Sequence, residues 1–535
     1  MSSWIDCARM MLWRRLHSSA PSRLCRQPTR SKSLPAWVDA LRRSLDNVTS
    51  TPLDASLCMP QLYPFQHTAV QFALSRGGRV LLGHEMGLGK TPIAVTVCAH
   101  YVHAEGPVLV VAPPVLLEQW AAEIVRWAPS VSPCEVQVIR KGSERPKDDA
   151  KFVLVSYAML VGRRSTDERT NSHLRHTAQG EAYAVVVADE AHALKSHKSS
   201  RTSVVMPLLR QARRAVLMTG TPMANGCAAD VYALVGALAK EAMPSYITWC
   251  KRYCQEQRQI FVSRRSIKRW VGVSRTHSAE LHDILQRVMT RQRKEEVLTE
   301  LPPKRRSRVA LPLSAAELRH IKTSMENVAV SAEFPFDAPL PSVMAAFHAS
   351  ATAKARAVCE WLGEALFQGE KGNLAVSGKT LLFAHHHVMH DALALFFSSH
   401  LDEQQWIHVT GETRSGDRFE RITRFQQDPS CRAAVLALSA CSQGLNLAMA
   451  DTVIFTELCW SPSELEQAEA RAHRMGQTAS QVSIYYLLVG GETFPLDSIM
   501  FKTLVKKSAA SSNVLDGRPP SQDLRTSAIV PPPQR

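Results

Sequence analysis

The stretch GHEMGLGKT, residues 83–91, decides how the rest of the chain is read. Gly87, Gly89, Lys90 and Thr91 match the end of a phosphate-binding loop, G-x-x-x-x-G-K-[ST]. In such a loop backbone N–H groups turn toward phosphates, the lysine neutralises them and the hydroxyl helps to hold magnesium. His84 stands where that pattern has its first glycine. Before the loop, Arg79-Val-Leu-Leu82 reads as a buried strand; after it, Pro92 to Val97 reads as a helix whose N-terminus faces the phosphates.

Working outward, short apolar runs alternate with helical patterns: Val108 to Ala112, Phe152 to Val155, Ala184 to Val187 and Ala215 to Met218. A second set follows, with Thr380 to Phe383, Trp406 to Val409, Ala433 to Leu436, Thr452 to Phe455 and Ser483 to Tyr486. Strands apolar on both faces and separated by helices indicate parallel sheets covered on both sides. The expected fold class is α/β, two lobes that are copies of one architecture, with a basic helical insertion between them. The predicted divisions are a basic leader over 1–50, disordered or targeting, and a nucleotide-binding lobe over 51–240. A basic helical insertion and linker follow over 241–350, then a second lobe over 351–507 and a disordered Ser- and Pro-rich tail over 508–535.

A chain of 535 residues, 45% of them hydrophobic, has ample material for a large core in two or three domains. Its most apolar segment, Leu381 to Phe397, is broken by His385, His386, His387, His390 and Asp391, so no membrane span is expected. Cys250 and Cys254 form the only close cysteine pair, with no second pair at a metal-site distance, which favours reduced thiols over zinc. The net charge of +16 is concentrated in two places. Residues 1–50 hold nine Lys and Arg against three Asp and Glu, and residues 251–310 hold sixteen against six. The first is compatible with a mitochondrial transit peptide or a disordered leader. The second contains Arg264, Arg265, Lys268, Arg269, Trp270 and Lys304-Arg305-Arg306; it reads as a surface for nucleic-acid phosphates or as a solvated charged face.

Three further stretches carry chemistry. Asp189 and Glu190 follow the apolar run Ala184 to Ala188, about a hundred residues after the loop. The first can reach magnesium beside Thr91, and the second can orient or deprotonate a water aimed at a γ-phosphate. Leu217-Met-Thr-Gly-Thr-Pro222 places small hydroxyl residues at another strand end. In the second lobe, Arg471 and Arg474 of QAEARAHRMGQ, residues 467–477, stand three apart; on one helical face they suit two guanidinium groups reaching a transferring phosphoryl.

Taken in order, Tyr63-Pro-Phe-Gln66, GHEMGLGKT, Ala112 to Trp120, DEAH at 189–192, MTGTP at 218–222, Met289 to Lys304 and QAEARAHRMGQ resemble a helicase-superfamily-two ATPase of the Swi/Snf type. Roughly residues 60 to 505 are covered. Members usually write the loop D-E-M-G-L-G-K-T, so the resemblance implies that the first glycine is dispensable and that His84 replaces an acidic residue. Phe-Ala-His-His at 383–386, Arg252-Tyr-Cys254 and Gly77-Gly-Arg79 are most similar to the annealing-helicase (HepA-related, HARP) branch, which acts on forked or partly melted DNA.

The resemblance implies two RecA-like lobes and the cofactors ATP and Mg2+. It implies Gln66 as adenine reader, with Gly87, Gly89, Lys90, Thr91 and Gln477 at the nucleotide and Thr91 and Asp189 at magnesium. Glu190 is implied as water activator, Arg471 and Arg474 as fingers, and Ser439, Gly444 and Asn446 as contacts to the DNA backbone. The implied partners are double-stranded or forked DNA, with single-strand-binding or replication-fork proteins beside it, in the nucleus or, from the leader, the mitochondrion. About fifty residues precede the first motif and thirty follow the second lobe, so no separate HARP domain, bromodomain, chromodomain or zinc finger is expected. An RNA helicase, a catalytically weak DNA-binding scaffold and a nucleosome remodeller are the rival readings.

Overall fold

The computed structural model describes residues 34–50, 61–162, 171–239, 242–262, 265–325, 340–367, 378–438, 447–489, 495–517 and 528–530. The first lobe takes its sheet from β1 (Arg79–Leu82), β2 (Val108–Ala112), β3 (Val136–Val138), β4 (Phe152–Ser156), β5 (Val185–Ala188), β6 (Arg214–Met218) and β9 (Met289–Thr290). Between these in sequence stand β7 (Glu256–Val262) and β8 (Arg265–Val271), which among the described residues pair only with each other. The second lobe uses β10 (Lys304–Leu311), β11 (Lys379–Ala384), β12 (Trp406–Val409), β13 (Ala433–Ala437), β14 (Ala450–Phe455), β15 (Val482–Val489) and β16 (Ala528–Val530).

The order is β3-β4-β2-β5-β6-β1-β9 in one sheet and β12-β13-β11-β14-β15-β10-β16 in the other. Counted from each lobe's own first strand, β1 and β10, the two orders are identical, including one added strand beyond the first. Every described pairing in both sheets is parallel. Alternate side chains feed two cores per lobe. Leu81 packs on one face of β1 and Val80 and Leu82 on the other; Leu381 and Phe383 oppose Leu382 and Ala384 on β11. Each fully buried Val or Leu contributes about 1.5–3 kcal/mol, so continuous apolar strands are stable only in this sandwiched setting.

Several expected divisions need correction. The second half of the basic leader is the helix Ala36–Asp46, whose Val38, Leu41 and Leu45 recur at helical spacing and are buried in the first lobe's core. Residues 1–33 lie outside the described residues. The basic middle region is not a helical insertion: its helices Tyr246–Tyr253 and Ser278–Gln286 flank an antiparallel ribbon, with Gln257 opposite Trp270 and Ile260 opposite Ile267. Nor does a linker run to 350. β9 closes the first sheet and β10 enters the second, so the chain crosses between lobes over residues 291–303. Beyond it, the helices Ala315–Met325 and Leu340–Phe367 place Ile321, Val343 and Phe347 in the second lobe's core.

The expected tail also begins too early. The helix Pro495–Leu515 continues through Ser508 because Val514 and Leu515 are buried in the first lobe's core. β16 then pairs with β10, Ala528 opposite Ser307. No helix among the described residues is long and apolar enough to cross a membrane.

Candidate active site between the lobes

β1 ends at Leu82, and the loop after it turns through Gly87 (φ 85°) and Gly89 (φ 65°) into the helix Lys90–Glu105. Both glycines hold left-handed backbone, which side chains resist; a Cβ on Gly89 would stand 2.5 Å from Gln66 Nε2. The loop's outer edge is sewn to β9 and the residues after it: Gly83 N–H donates to the Thr290 carbonyl (2.9 Å) and Glu85 N–H to that of Gln292 (3.0 Å). His84 completes the seam. It is fully buried, with Nδ1 3.1 Å from the Thr290 carbonyl. Since a carbonyl only accepts, Nδ1 carries the proton. Burial and the nearby Lys90 push the imidazole down to about 4, so it is neutral at pH 7. The turn is made at Gly87 and Gly89, and His84 serves as a clip outside it.

Lys90 Nζ donates to the carbonyls of His84 (3.0 Å) and Glu85 (3.4 Å). Burial depresses its pKa, opposed by the carboxylates of Glu190 and Asp189. Gln66, also buried, takes the Tyr63 N–H on Oε1 (3.0 Å) and donates from Nε2 to the carbonyls of Leu88 and Gly89 (3.2 Å each). Its amide therefore braces the phosphate loop.

Across the sheet, β5 ends at Ala188 and delivers Asp189 and Glu190. Trp120 Nε1 donates to Asp189 Oδ2 (2.8 Å), and Glu190 N–H donates to Asp189 Oδ1 (2.8 Å). Burial, then the adjacent Glu190, pushes Asp189 up to about 6. Glu190 holds φ 47°, a left-handed backbone that is uncommon outside glycine and concentrates at functional sites. Burial alone would raise its pKa, yet the hydrogen bond from His192 and the cations Lys90 and Arg471 hold it below its ordinary value. His192 Nδ1 stands 3.2 Å from both Glu190 Oε2 and Thr219 Oγ1, so the MTGTP segment touches the carboxylate pair through one imidazole.

The second lobe supplies the facing wall. Its helix Pro462–Ala472 stops at His473. Arg471 therefore lies in the last turn and Arg474 beyond it, rather than on one helical face. Both still face the first lobe: Arg471 helps to hold Glu190 ionised, and a Cβ on Gly87 would meet Arg474 Cβ at 3.1 Å. Burial and Arg471 lower Arg474 to about 10. Lys294 Nζ donates to the His473 carbonyl (2.5 Å) and Lys294 N–H to Glu85 Oε2 (2.8 Å), joining the finger segment to the phosphate loop.

Other expected site residues fare differently. Gln477 donates its amide to the carbonyls of Ala450 (2.8 Å) and Ala472 (3.1 Å) and accepts from Ala479 N–H (2.9 Å), so it braces its own lobe. Lys304 and Arg306 do not form a phosphate-facing surface: both bind the buried Glu469, at 2.9 and 2.7 Å. Lys268 and Arg269 are exposed on β8, which also carries Arg265. Arg264, Ser439, Gly444 and Asn446 lie outside the described residues. Sequence reasoning missed Trp120, His192 and Lys294 as partners of the site. All three lay inside quoted motifs, but nothing in their spacing announced a hydrogen bond to Asp189, Thr219 or the His473 carbonyl.

The half-buried Lys90 at a glycine turn is a cationic donor that fits phosphate, with paired carboxylates opposite. Thr91 and Asp189 offer the hard oxygens that Mg2+ takes. Two RecA-like lobes with this loop on one and paired arginines on the other define a helicase-type two-lobed ATPase core. The chain belongs to the SNF2-related domain family, whose model matches residues 65–345; the helicase conserved C-terminal domain matches residues 354–476.

Among curated relatives, the DNA annealing helicase and endonuclease ZRANB3 of Homo sapiens is 33% identical over 91% of this chain and 43% of its own length. The SWI/SNF-related matrix-associated actin-dependent regulator of chromatin subfamily A-like protein 1 of Xenopus laevis is 33% identical over 84% of this chain and 43% of its own. This chain thus spans less than half of either relative. The Sulfolobus solfataricus SWI2/SNF2 ATPase core in complex with dsDNA aligns with 85% of this chain and 94% of its own at 21% identity and a TM-score of 0.37. A superposition that loose leaves the two-lobe description resting on the sheets themselves.

Proposed function

We propose that this chain is an ATP-driven DNA translocase acting on duplex or forked DNA, with strand annealing or fork remodelling in repair as its task. The observation that carries the reading is the convergence, on one cleft, of Lys90 and Glu190 from the first lobe with Arg471 and Arg474 from the second. In this reading Lys90 and the turn N–H groups bind the phosphates and Glu190 orients the attacking water. Arg471 and Arg474 meet the transferring phosphoryl when the lobes are together. Thr91 and Asp189 would hold Mg2+, which supplies positive charge at the phosphate oxygens. Alternation between closed and open lobes would move the motor along the phosphate backbone. The exposed Lys268 and Arg269 support a sequence-independent, salt-sensitive grip on DNA. The names of the relatives, a DNA annealing helicase and a chromatin regulator, support DNA rather than RNA and a nuclear setting; replication-fork proteins as partners are part of the proposal. His84, buried and clipped to the Thr290 carbonyl, weakens the scaffold reading, because its place in the loop is structural.

The test is steady-state ATP hydrolysis without nucleic acid and with single-stranded, duplex and forked DNA and RNA, using Lys90→Ala as the blank. Strong stimulation by duplex or forked DNA, absent from the variant, is expected. Stimulation by RNA alone, or no hydrolysis above the variant, overturns the reading.

A further inference from the structure

Arg291, directly after β9 and inside the Met289–Lys304 stretch, has no role assigned to it by the sequence, yet it touches three parts of the site. Its Nη1 donates to the carbonyl of Gly83, where the phosphate loop begins (2.8 Å), and approaches that of Gly220 in the MTGTP segment (3.5 Å). Its Nε donates to Asp516 Oδ1 (2.6 Å). Asp516 follows the helix Pro495–Leu515, which is anchored in both lobes: Leu496, Met500 and Phe501 lie in the second lobe's core, Val514 and Leu515 in the first's. Two more bonds fasten its far end to the first lobe. Ser511 Oγ donates to the Met223 carbonyl (3.0 Å), and His282 Nδ1 meets that of Val514 at 2.6 Å. Arg291 and Asp516 also line an interlobe cavity of about 230 Å³, with Glu85, Met86 and Gly220 on its wall.

A guanidinium holds its N–H groups in a rigid planar fork, so its hydrogen bonds are set together. With Asp516 seated, Nε is fixed and Nη1 is aimed at Gly83 and Gly220. If the lobes part and the helix end lifts, the fork loses its carboxylate, and the two carbonyls lose a donor of fixed direction. We propose that Arg291 is a positioning residue, through which seating of the lobe-spanning helix by Asp516 fixes the phosphate loop in its phosphate-accepting shape. The inference rests on the ATPase reading for its consequence in turnover, but its geometry is testable without turnover.

The experiment is amide hydrogen exchange over residues 83–91 in the full chain without nucleotide, for wild type, Asp516→Asn, Arg291→Lys and the double variant. Loss of a charge-assisted bond should speed local opening by about tenfold in each single variant. Because both act through one contact, the double variant should match the faster single one. Asp516→Glu, which keeps the carboxylate, should restore slow exchange; it decides the matter if Asp516→Asn melts early. Unchanged exchange in the loop, effects that multiply in the double variant, or failure of Asp516→Glu to restore protection in a folded chain overturns the proposal. Hydrolysis is measured on the same samples. A wild type that protects its loop but turns over no ATP defeats the ATPase reading and leaves this one standing.

Discussion

The two lobes share a strand order but end their first strands differently. β1 runs into a glycine turn and the helix Lys90–Glu105, whose start carries no side-chain cap. β10 runs into Pro312-Leu-Ser314 and the helix Ala315–Met325, and there the same kind of helix start is filled from within. Ser314 N–H donates to Glu317 Oε2 (2.7 Å), and Glu317 N–H donates to Ser314 Oγ (3.3 Å), a reciprocal cap. Arg356 pairs with Glu317 and is the chief reason its carboxyl is held down to about 2. A helix start at the end of a sheet's first strand can receive an anion; in the proposed reading one lobe leaves it for phosphate, and the other closes it with its own carboxylate. The second lobe contributes instead what stands opposite, the arginines in and just beyond the last turn of its helix Pro462–Ala472.

The comparison breaks first at Lys90. Lys90→Ala should lower ATP turnover by more than about a thousandfold, because no other cation in the turn neutralises the phosphates. Arg474→Ala, on the facing lobe, should lower kcat by about a hundred- to a thousandfold while a non-hydrolysable ATP analogue still binds. Retained turnover in that variant would detach the second lobe from catalysis.

A smaller effect belongs to Glu466, also on the second lobe's cleft face. Burial, then Glu469, pushes its carboxyl up from 4.5 to about 7. The folded chain therefore holds a proton there that the unfolded chain releases above 4.5, and stability from this group is lost as pH rises from 4.5 through 7. Glu466→Gln imitates the protonated form. Its advantage over wild type in thermal melting should grow between pH 5 and pH 7, reaching about 1–2 kcal/mol; an advantage that shrinks with rising pH would reverse the assignment.

The smallest effect sharpens the comparison most. Glu317→Ala should cost the second lobe about 1 kcal/mol in thermal unfolding and leave nucleotide affinity unchanged. Wild type should lose that increment as pH falls from 4.5 toward 2, since a depressed carboxyl stabilises only where it is ionised.

Much of this was legible in the sequence because fully apolar strands carry their own signature. β2, β4, β5, β11 and β13 were expected within one or two residues, and so was the duplicated architecture. β10 was not, because Lys304-Arg305-Arg306 reads as charged surface until Glu469 is known to lie beside it. The ribbon β7–β8 was missed for a related reason: its basic residues mask the alternation of Ile260, Val262 and Ile267. The end of the helix Pro495–Leu515 reads as the start of a tail because Ser508 to Ser512 carries no hydrophobic period, and the anchors beyond it, Val514 and Leu515, lie in the other lobe's core. Within the site, residue types and motif order brought Lys90, Asp189, Glu190 and the arginines together. The bonds of His84, Trp120, Arg291 and Asp516 connect positions too distant for spacing to reveal.

The most direct test of the account is calorimetric titration of the full chain and of Lys90→Ala with a non-hydrolysable ATP analogue in Mg2+. One site per chain, lost in the variant, is the predicted result. Two sites per chain, or a site that survives Lys90→Ala, would contradict the claim that only the first lobe leaves its anion site open.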